Sequence, residues 1–439
     1  MSEEITLSDL IEKPRAGYWG GSAKTTSTPI ACRVVRNGDV GHDGRIDLET
    51  LPIRWFSNAE VVNANISHQD AVLVSSGAYT GNVGRICGLA DLPVIISNFV
   101  RLLRPAPSTE PGFLYHLARS TIAQRHVWPN TGGSAIPNLS SRFYSSVVLP
   151  AHFSRDEQAC IAQILDTLDT VIHETEAIIA KLKAVKQGLL HDLLTRGVDA
   201  NGELRPPQSE APHLYKPSPL GWIPKEWDVK QLAELLGDLE PAMRSGPFGS
   251  ALLKEELVEA GVPLLGIDNV HTEKFLAHYT RFVTPRKFAQ LARYAVRPYD
   301  LMITIMGTVG RCCLVPEDVG LALSSKHTWT ISLNQQVYSP YLAMLQVNYS
   351  PWITGHFARD QQGGTMAAIR SETLRSTRLP IPPRNEQHLM EERLRGLSRR
   401  IDLEADSLAK HHVEKAGLMN DLLTGRVRVT PLLQEAQHA

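Results

Sequence analysis

Two stretches of the chain place apolar residues at alternating steps of four and three. The first runs through Ile161, Leu165, Leu168, Ile172, Thr175, Ile179, Leu182, Lys186, Leu189 and Leu193. The second lies 229 residues later, at Met390, Leu394, Leu397, Ile401, Glu404, Leu408, His411, Lys415, Leu418 and Leu422. This is the heptad pattern of a coiled coil. Each stretch predicts a helix of about 40 residues, roughly 60 Å long at about 1.5 Å per residue. Glu157-Gln158 opens the first and Asp192-Leu193-Leu194-Thr195 closes it; Glu386-Gln387 and Asp421-Leu422-Leu423-Thr424 do the same for the second. Glu and Asp stand 35 residues apart in both copies. A spacing kept without insertion over that length marks a helix whose register matters.

A lone amphipathic helix would leave its stripe in water, and the nearest partner is the other copy. Twofold logic makes the pair antiparallel, with a seam of Leu168, Ile172, Ile179, Leu182, Lys186 and Leu189 from one helix. The other contributes Leu397, Ile401, Glu404, Leu408, Lys415, Leu418 and Leu422. The register expected sets Lys186 against Glu404, Thr175 against Lys415 and Leu168 against Leu422, because it gives Lys186 an acidic partner. Gly188 and Gly417 are also equivalent. A glycine inside a helix costs about 1 kcal/mol against alanine, so its presence in both copies predicts close approach of another backbone.

The residues upstream of each helix repeat as well. Leu7-Ser8-Asp9-Leu10-Ile11 matches Leu232-Ala233-Glu234-Leu235-Leu236, and Asp70 to Val74 matches Asp300 to Thr304. Gly81-Asn82-Val83-Gly84-Arg85 matches Gly307-Thr308-Val309-Gly310-Arg311, Gly132-Gly133-Ser134 matches Gly363-Gly364-Thr365, and Leu149-Pro150 matches Leu379-Pro380. Spacings drift and the intervening sequence differs. A scaffold is duplicated while its loops diverge, as expected of two domains reading two targets. Twofold molecules suit twofold targets such as duplex DNA.

The glycines of Gly-x-Val-Gly-Arg either make a turn between strands or bring the backbone against a phosphate. Arg85 and Arg311 are either phosphate contacts or partners in ion pairs. Candidate DNA contacts are therefore Gly81, Asn82, Gly84, Arg85, Gly132, Gly133 and Ser134 in the first unit. In the second they are Gly307, Thr308, Gly310, Arg311, Lys326, Gln361, Gln362, Gly363, Gly364, Thr365 and Arg370.

The pattern gives a mixed α/β (α+β) chain with a pseudo-twofold internal repeat. Its parts are a globular unit at 1–150, a helix at 151–197, a Pro-rich linker at 198–222, a second unit at 223–382, a second helix at 383–427 and a frayed tail at 428–439. With 439 residues and 43% hydrophobic content the chain can bury sizeable cores. Formal charge is −1, with 45 basic and 46 acidic residues. That argues against non-specific nucleic-acid binding, which rests on counterion release, though not against a base reader that borrows charge from a partner. The five cysteines form no Cys-x-x-Cys, so neither a disulfide framework nor a metal site is expected. No membrane span or signal peptide is legible, and a cytoplasmic location is expected. There is no phosphate loop, no dinucleotide fingerprint, no Asn/Asp-Pro-Pro-aromatic tetrapeptide and no hydrolase motif. The chain is expected to have no catalytic centre.

Leu220-Gly221-Trp222-Ile223-Pro224-Lys225-Glu226-Trp227, the paired Leu-Pro and Glu-Gln signals, and Lys186-Gln187-Gly188-Leu189-Leu190 through Thr195 resemble the specificity subunit of a type I restriction–modification system. The resemblance covers nearly the whole chain; the first unit, however, lacks an Ile-Pro-x-x-Trp opening. It implies two target-recognition domains, each reading one half of a bipartite site on double-stranded DNA, with the helices setting the gap. It also implies two methyltransferase (modification) subunits docked on the helices, and restriction/translocase subunits beyond them. S-adenosylmethionine, ATP and Mg would belong to those partners, with no cofactor in this chain. The alternatives are a specificity subunit of another multisubunit DNA modification system without type I cleavage partners, and a coiled-coil protein-binding scaffold.

Overall fold

The computed structural model describes residues 4–21, 29–88, 90–133, 136–361 and 368–438. The chain divides into two compact units, Met1–Ile178 with Glu404–Ala439, and Ile179–Leu403. Both boundaries fall inside the long helices, Arg155–Thr195 and Arg384–Leu423. Each unit therefore contains one globular head and part of both helices.

Seven strands build the two main sheets of the first head: β1 (Arg15–Ala16), β2 (Ile30–Val35), β3 (Ile53–Phe56), β4 (Ala71–Val74), β5 (Val83–Arg85), β6 (Val94–Ile96) and β7 (Val100–Leu103). They form a four-stranded sheet in the order β1-β7-β4-β5 and a three-stranded sheet in the order β3-β2-β6. Among the described residues of this head only β2 and β6 pair in parallel. The second head repeats this in sequence order: β8 (Met243–Ser245), β9 (Val262–Leu265), β10 (Phe282–Val283), β11 (Leu301–Thr304), β12 (Cys312–Leu314), β13 (Leu323–Ser324) and β14 (Thr328–Ile331). Its sheets run β8-β14-β11-β12 and β10-β9-β13, again with one parallel pair, β9 with β13. The central strands β4 and β11 are buried at every position, which is why they read as unbroken apolar runs and not as alternations.

One close approach holds the two sheets of each head together. The chain leaving β1 passes so near β6 that a Cβ on Gly17 would lie 1.7 Å from the carbonyl oxygen of Ile96; at Gly246, after β8, the same atom would lie 2.0 Å from that of Ser324. No residue with a side chain fits there. A carboxylate repeats too. Asp70 accepts the Ser67 N–H and Asp300 the Arg297 N–H, each at 2.8 Å. Asp70 is paired with Arg104, just beyond β7, and Asp300 with Arg244 in β8, so the acid is kept while the guanidinium comes from elsewhere.

The heptad seam holds: every one of the ten seam positions in each long helix is buried or half-buried. In the first unit Ile161 and Leu165 share a core with Leu422 and Leu423; in the second Leu190, Leu193 and Leu194 share one with Met390 and Leu394. The start of each helix thus meets the end of the other, and the pair is antiparallel. The polar layers differ from expectation. Lys415 is paired with Asp169, six positions before the expected Thr175, whose hydroxyl instead donates to Val171 of its own helix. Lys186 takes Glu273, on a loop of the second head, at 2.6 Å and not Glu404. A buried ammonium takes whichever carboxylate the packing brings within reach, and that was not fixed by the seam alone. Gly188 and Gly417 face open space: a Cβ on either would meet nothing within 4 Å, so no other backbone approaches them.

The duplicated Glu-Gln pair is the joint between helix and head. The Gln158 amide oxygen accepts the N–H of Glu110, which caps the helix Pro111–Arg119, and its nitrogen donates to Phe153. Gln387 repeats this with the N–H of Ser339, which caps Pro340–Tyr349, and donates to Pro382 and Val337. The glutamates secure the chain that follows the opposite helix. Glu386 accepts the Val198 N–H and a bidentate ion pair from Arg205. Glu157 receives the Thr430 hydroxyl at 3.1 Å and approaches Arg428 at 3.7 Å. The Pro-rich segment is accordingly ordered, with a hairpin of Tyr215–Ser218 and Gly221–Pro224. The tail is not frayed either: Thr430–His438 is helical, and Val429 and Leu433 join the first head's core.

Removing Glu386 leaves the buried Arg205 guanidinium, among the described residues, no acidic partner but the exposed Glu226 at the longer distance of 3.5 Å. Glu386→Ala should destabilise the second unit by about 3–5 kcal/mol, whereas Glu157→Ala, whose Arg428 reaches solvent, should cost about 1 kcal/mol or less. Urea unfolding monitored by circular dichroism measures both; equal losses would show that the two joints do not differ in this way.

Candidate nucleic-acid interface

The strand order places particular loops together. In the first head the chain leaves β1 and β4, and enters β5 and β7, at one end of the four-stranded sheet, because Ala16 pairs with Arg101, Val74 with Val100 and Leu73 with Val83. That loop end carries Trp19, Ser75 to Asn82, and Asn98-Phe99. The hairpin Thr131–Gly132 with Asn138–Leu139 joins it: the Gly77 N–H and the Ser76 hydroxyl both donate to Pro137. The two glycine-rich candidate segments, Gly81-Asn82 and Gly132-Gly133, are thus brought to one edge. Ser134 lies outside the described residues.

The second head has the same loop end, holding Phe248, Ile305 to Arg311, and the exposed Lys326 with His327. Its turn corrects the alignment of the repeats. Gly81 donates to Val74 and Gly310 to Thr304, each at 2.9 Å and each with positive φ (98° and 87°). The counterpart of Gly81 is therefore Gly310, and that of Gly307 is Gly77. A one-residue difference in turn length slid the look-alike motif out of register. Thr308 and Arg311 both lie on this turn; Thr304 Oγ1 donates to the Thr308 carbonyl and accepts the Arg311 N–H. Gln361 ends the helix Pro351–Gln361, and the exposed Arg370 caps Ser371–Arg375. Gln362, Gly363, Gly364 and Thr365 lie outside the described residues.

Three candidates sit elsewhere or are occupied. Arg85 ends β5 at the opposite end of the sheet, where it grips Asp166 of the first long helix through two hydrogen bonds of 2.8 and 3.1 Å and lies over the Tyr115 ring. Its guanidinium is taken up by this ion pair. Gly84 is buried against Ile46 and Val40, and the Asn82 amide donates to the Val40 carbonyl at 2.9 Å.

Trp19 and Phe248 were missed from the sequence, although a signal exists. Arg15, Gly17 and Trp19 recur as Arg244, Gly246 and Phe248 at the same 229-residue offset as the helices.

Residues 224–410 match the family model of the type I restriction modification DNA specificity domain. The chain is 24% identical to the MjaVIII specificity subunit of Methanocaldococcus jannaschii, over 86% of this chain and 83% of that one. It is 24% identical to the putative MjaX specificity subunit of the same organism, over 96% and 93%. The type I S subunit from M. genitalium superposes with a TM-score of 0.56 at 15% identity, covering 96% of this chain and 95% of that one. A chain from a study of complex assembly and conformational transition in the type I R-M system gives 0.55 at 14% identity, covering 97% and 98%. The chain is similar to type I specificity subunits. Its fold, two heads joined by an antiparallel helix pair, is theirs, and the protein-binding scaffold is not favoured.

The end of the first head away from the loops is tied to the helices by a charge network. His116, fully buried, hydrogen-bonds Asp166 through Nε2 at 2.8 Å, while Lys415 pairs with Asp169. A cleft of about 940 Å³ opens beside it, lined among others by Arg45, Arg119 and Glu176. His116, Asp166 and Asp169 bring three potential ligand atoms within 4.8 Å of one another. Arg85 and Lys415 already supply their counter-charge, so the cluster acts as an ion-pair network. Burial pushes the His116 imidazole below its ordinary value despite the pull of Asp166. Burial works to raise Asp166, but hydrogen bonds from His116 and Arg85 outweigh it and hold the carboxyl at about 2. Among the described residues no helix is long and apolar enough to cross a membrane.

The second head has Leu345 where the first has His116, and the pH response should follow from that difference. An unfolded histidine takes up its proton below about pH 6.5, the folded one only at lower pH. Its contribution is therefore complete above that point and falls with acid; that of Asp166 holds above about pH 3.8 and is lost toward about 2. Thermal melts between about pH 8 and pH 5 should show a falling Tm, and His116→Leu should flatten the slope. An unchanged slope in that variant would assign the acid sensitivity elsewhere.

Proposed function

We infer that this chain is the DNA sequence-recognition subunit of a type I restriction–modification system. The observation that carries the reading is the repeated head: one strand order twice, with loop ends that share a frame and differ in sequence. Each head reads one half of a bipartite site. Specificity would come from side chains of the loop end meeting base edges in the major groove, where a good bidentate pair discriminates by about 1–3 kcal/mol. Two half-sites about one helical turn apart, roughly 34–36 Å, suit helices of this length.

The helices would do two jobs in this proposal. They set the unspecified gap between half-sites, and their exposed faces dock two methyltransferase subunits. S-adenosylmethionine would be bound there, and ATP and Mg by restriction/translocase subunits, while this chain supplies recognition and no chemistry. Near-zero net charge fits a reader that borrows phosphate attraction from its partners.

Methylome sequencing of a host carrying this chain and its methyltransferase should yield a two-part motif. Deleting one heptad from both helices should change the gap and leave both half-site sequences intact; altered half-sites would refute the spacing role. In the same complex Lys326→Ala should keep its melting temperature and reduce the salt dependence of DNA affinity, by about 0.9 in the log–log slope. Arg85→Ala should lower the melting temperature and leave that slope alone. The reverse outcome would exchange the roles assigned to these two cations.

A further inference from the structure

We propose that Trp19 and Phe248 are stacking residues that press between bases at the two half-sites, acting on the shape of the duplex and not on its sequence. This rests on the DNA-reading function above and deepens it.

Three observations lead here. First, the two residues occupy the same place in the repeated fold. Each follows by two positions the glycine wedged against a strand carbonyl, Gly17 at Ile96 and Gly246 at Ser324. Second, packing does not account for them. Trp19 is 52% and Phe248 61% exposed, and neither joins a hydrophobic core among the described residues. The glycine is explained by the close approach of two strands; the aromatic two residues later enters no hydrophobic core among the described residues. Third, both follow a strand that ends among the candidate contacts: Trp19 packs on Phe99, and Ser245, three residues before Phe248, donates to the Lys326 carbonyl at 3.4 Å.

The Trp19 ring is braced. Phe99 meets it edge to face at 6.1 Å and 74°, and the Arg54 guanidinium lies 5.4 Å from its centre. A braced ring loses little freedom on inserting beside a base, and the adjacent cation favours a polyanion. Base–aromatic stacking tolerates any sequence because every base offers a π-face. That suits a position kept aromatic, as Trp19 or Phe248, while the surrounding loops, which must read different bases, diverge. No aromatic ring braces Phe248 among the described residues, so its share should be the smaller.

The test uses the full chain with its methyltransferase subunits, on duplexes carrying the half-sites found by methylome sequencing. Permanganate oxidation of thymines other than at the methylated base pair reports unstacking. The complex with unaltered heads should bind these duplexes in preference to scrambled ones and expose a thymine step in the first half. Trp19→Ala should abolish that reactivity and weaken binding by about five- to a hundredfold, with the methylated motif unchanged. Trp19→Phe should restore most of both. Phe248→Ala should do the same in the second half with a smaller loss. The proposal is overturned if Trp19→Ala binds and unstacks like the unaltered complex, if it changes the half-site sequence, or if it loses methyltransferase assembly while its DNA response persists. Absence of any sequence preference in the unaltered complex would instead overturn the recognition function itself.

Discussion

The fold depends on how a long helix is fastened to a head, and one side chain does most of that fastening in each unit. The Gln158 and Gln387 amides each bridge the cap of a head helix and the carbonyl chain that leads into the long helix. An amide both accepts and donates, so it can satisfy two buried backbone groups from different elements at once. An apolar residue there would leave a helix-capping N–H unpaired, and a carboxylate could not donate. The neighbouring glutamate completes the joint by taking the chain that returns from the other helix. Four segments thus meet at a two-residue motif.

The two heads solve the same packing problem with different chemistry. Where the first head sets His116 against Asp166 and Arg85, the second sets Leu345 in an apolar core. The twofold-related Lys415 and Lys186 likewise take acids from different places, a helix in one unit and a loop of the head in the other. Duplication preserves the strand ladder and the joint, because these are backbone solutions. Side-chain networks drift, since any arrangement that neutralises a buried charge serves as well. The first head thus buries an ionisable imidazole where the second buries a leucine.

The same contrast divides the two ends of each four-stranded sheet. The end toward the long helices is filled by charge pairs and core contacts. The loop end keeps backbone turns and a few exposed side chains, among them two aromatics outside every hydrophobic core of the described residues. Recognition surfaces can diverge only where the fold makes no demand on them, and here the strand order assigns that freedom to one end.

Much was legible in the sequence because it is local or periodic. The heptads, the helix limits within a few residues, the antiparallel pairing and the duplication followed from spacing alone, since hydrophobic period and a fixed 229-residue offset survive without knowledge of contacts. What could not be read was long-range. For Arg85 the sequence left a phosphate contact and an ion pair equally open; strand pairing carries it to the far end of the sheet, to Asp166. Gly307 matched Gly81 by letter, but the hydrogen-bond ladder pairs Gly81 with Gly310. Lys186 and Lys415 needed acids, and only the packed structure chose which. Periodicity fixes which face of an element is buried; partner choice and turn register depend on residues scores of positions away, and these the tertiary fold alone decides.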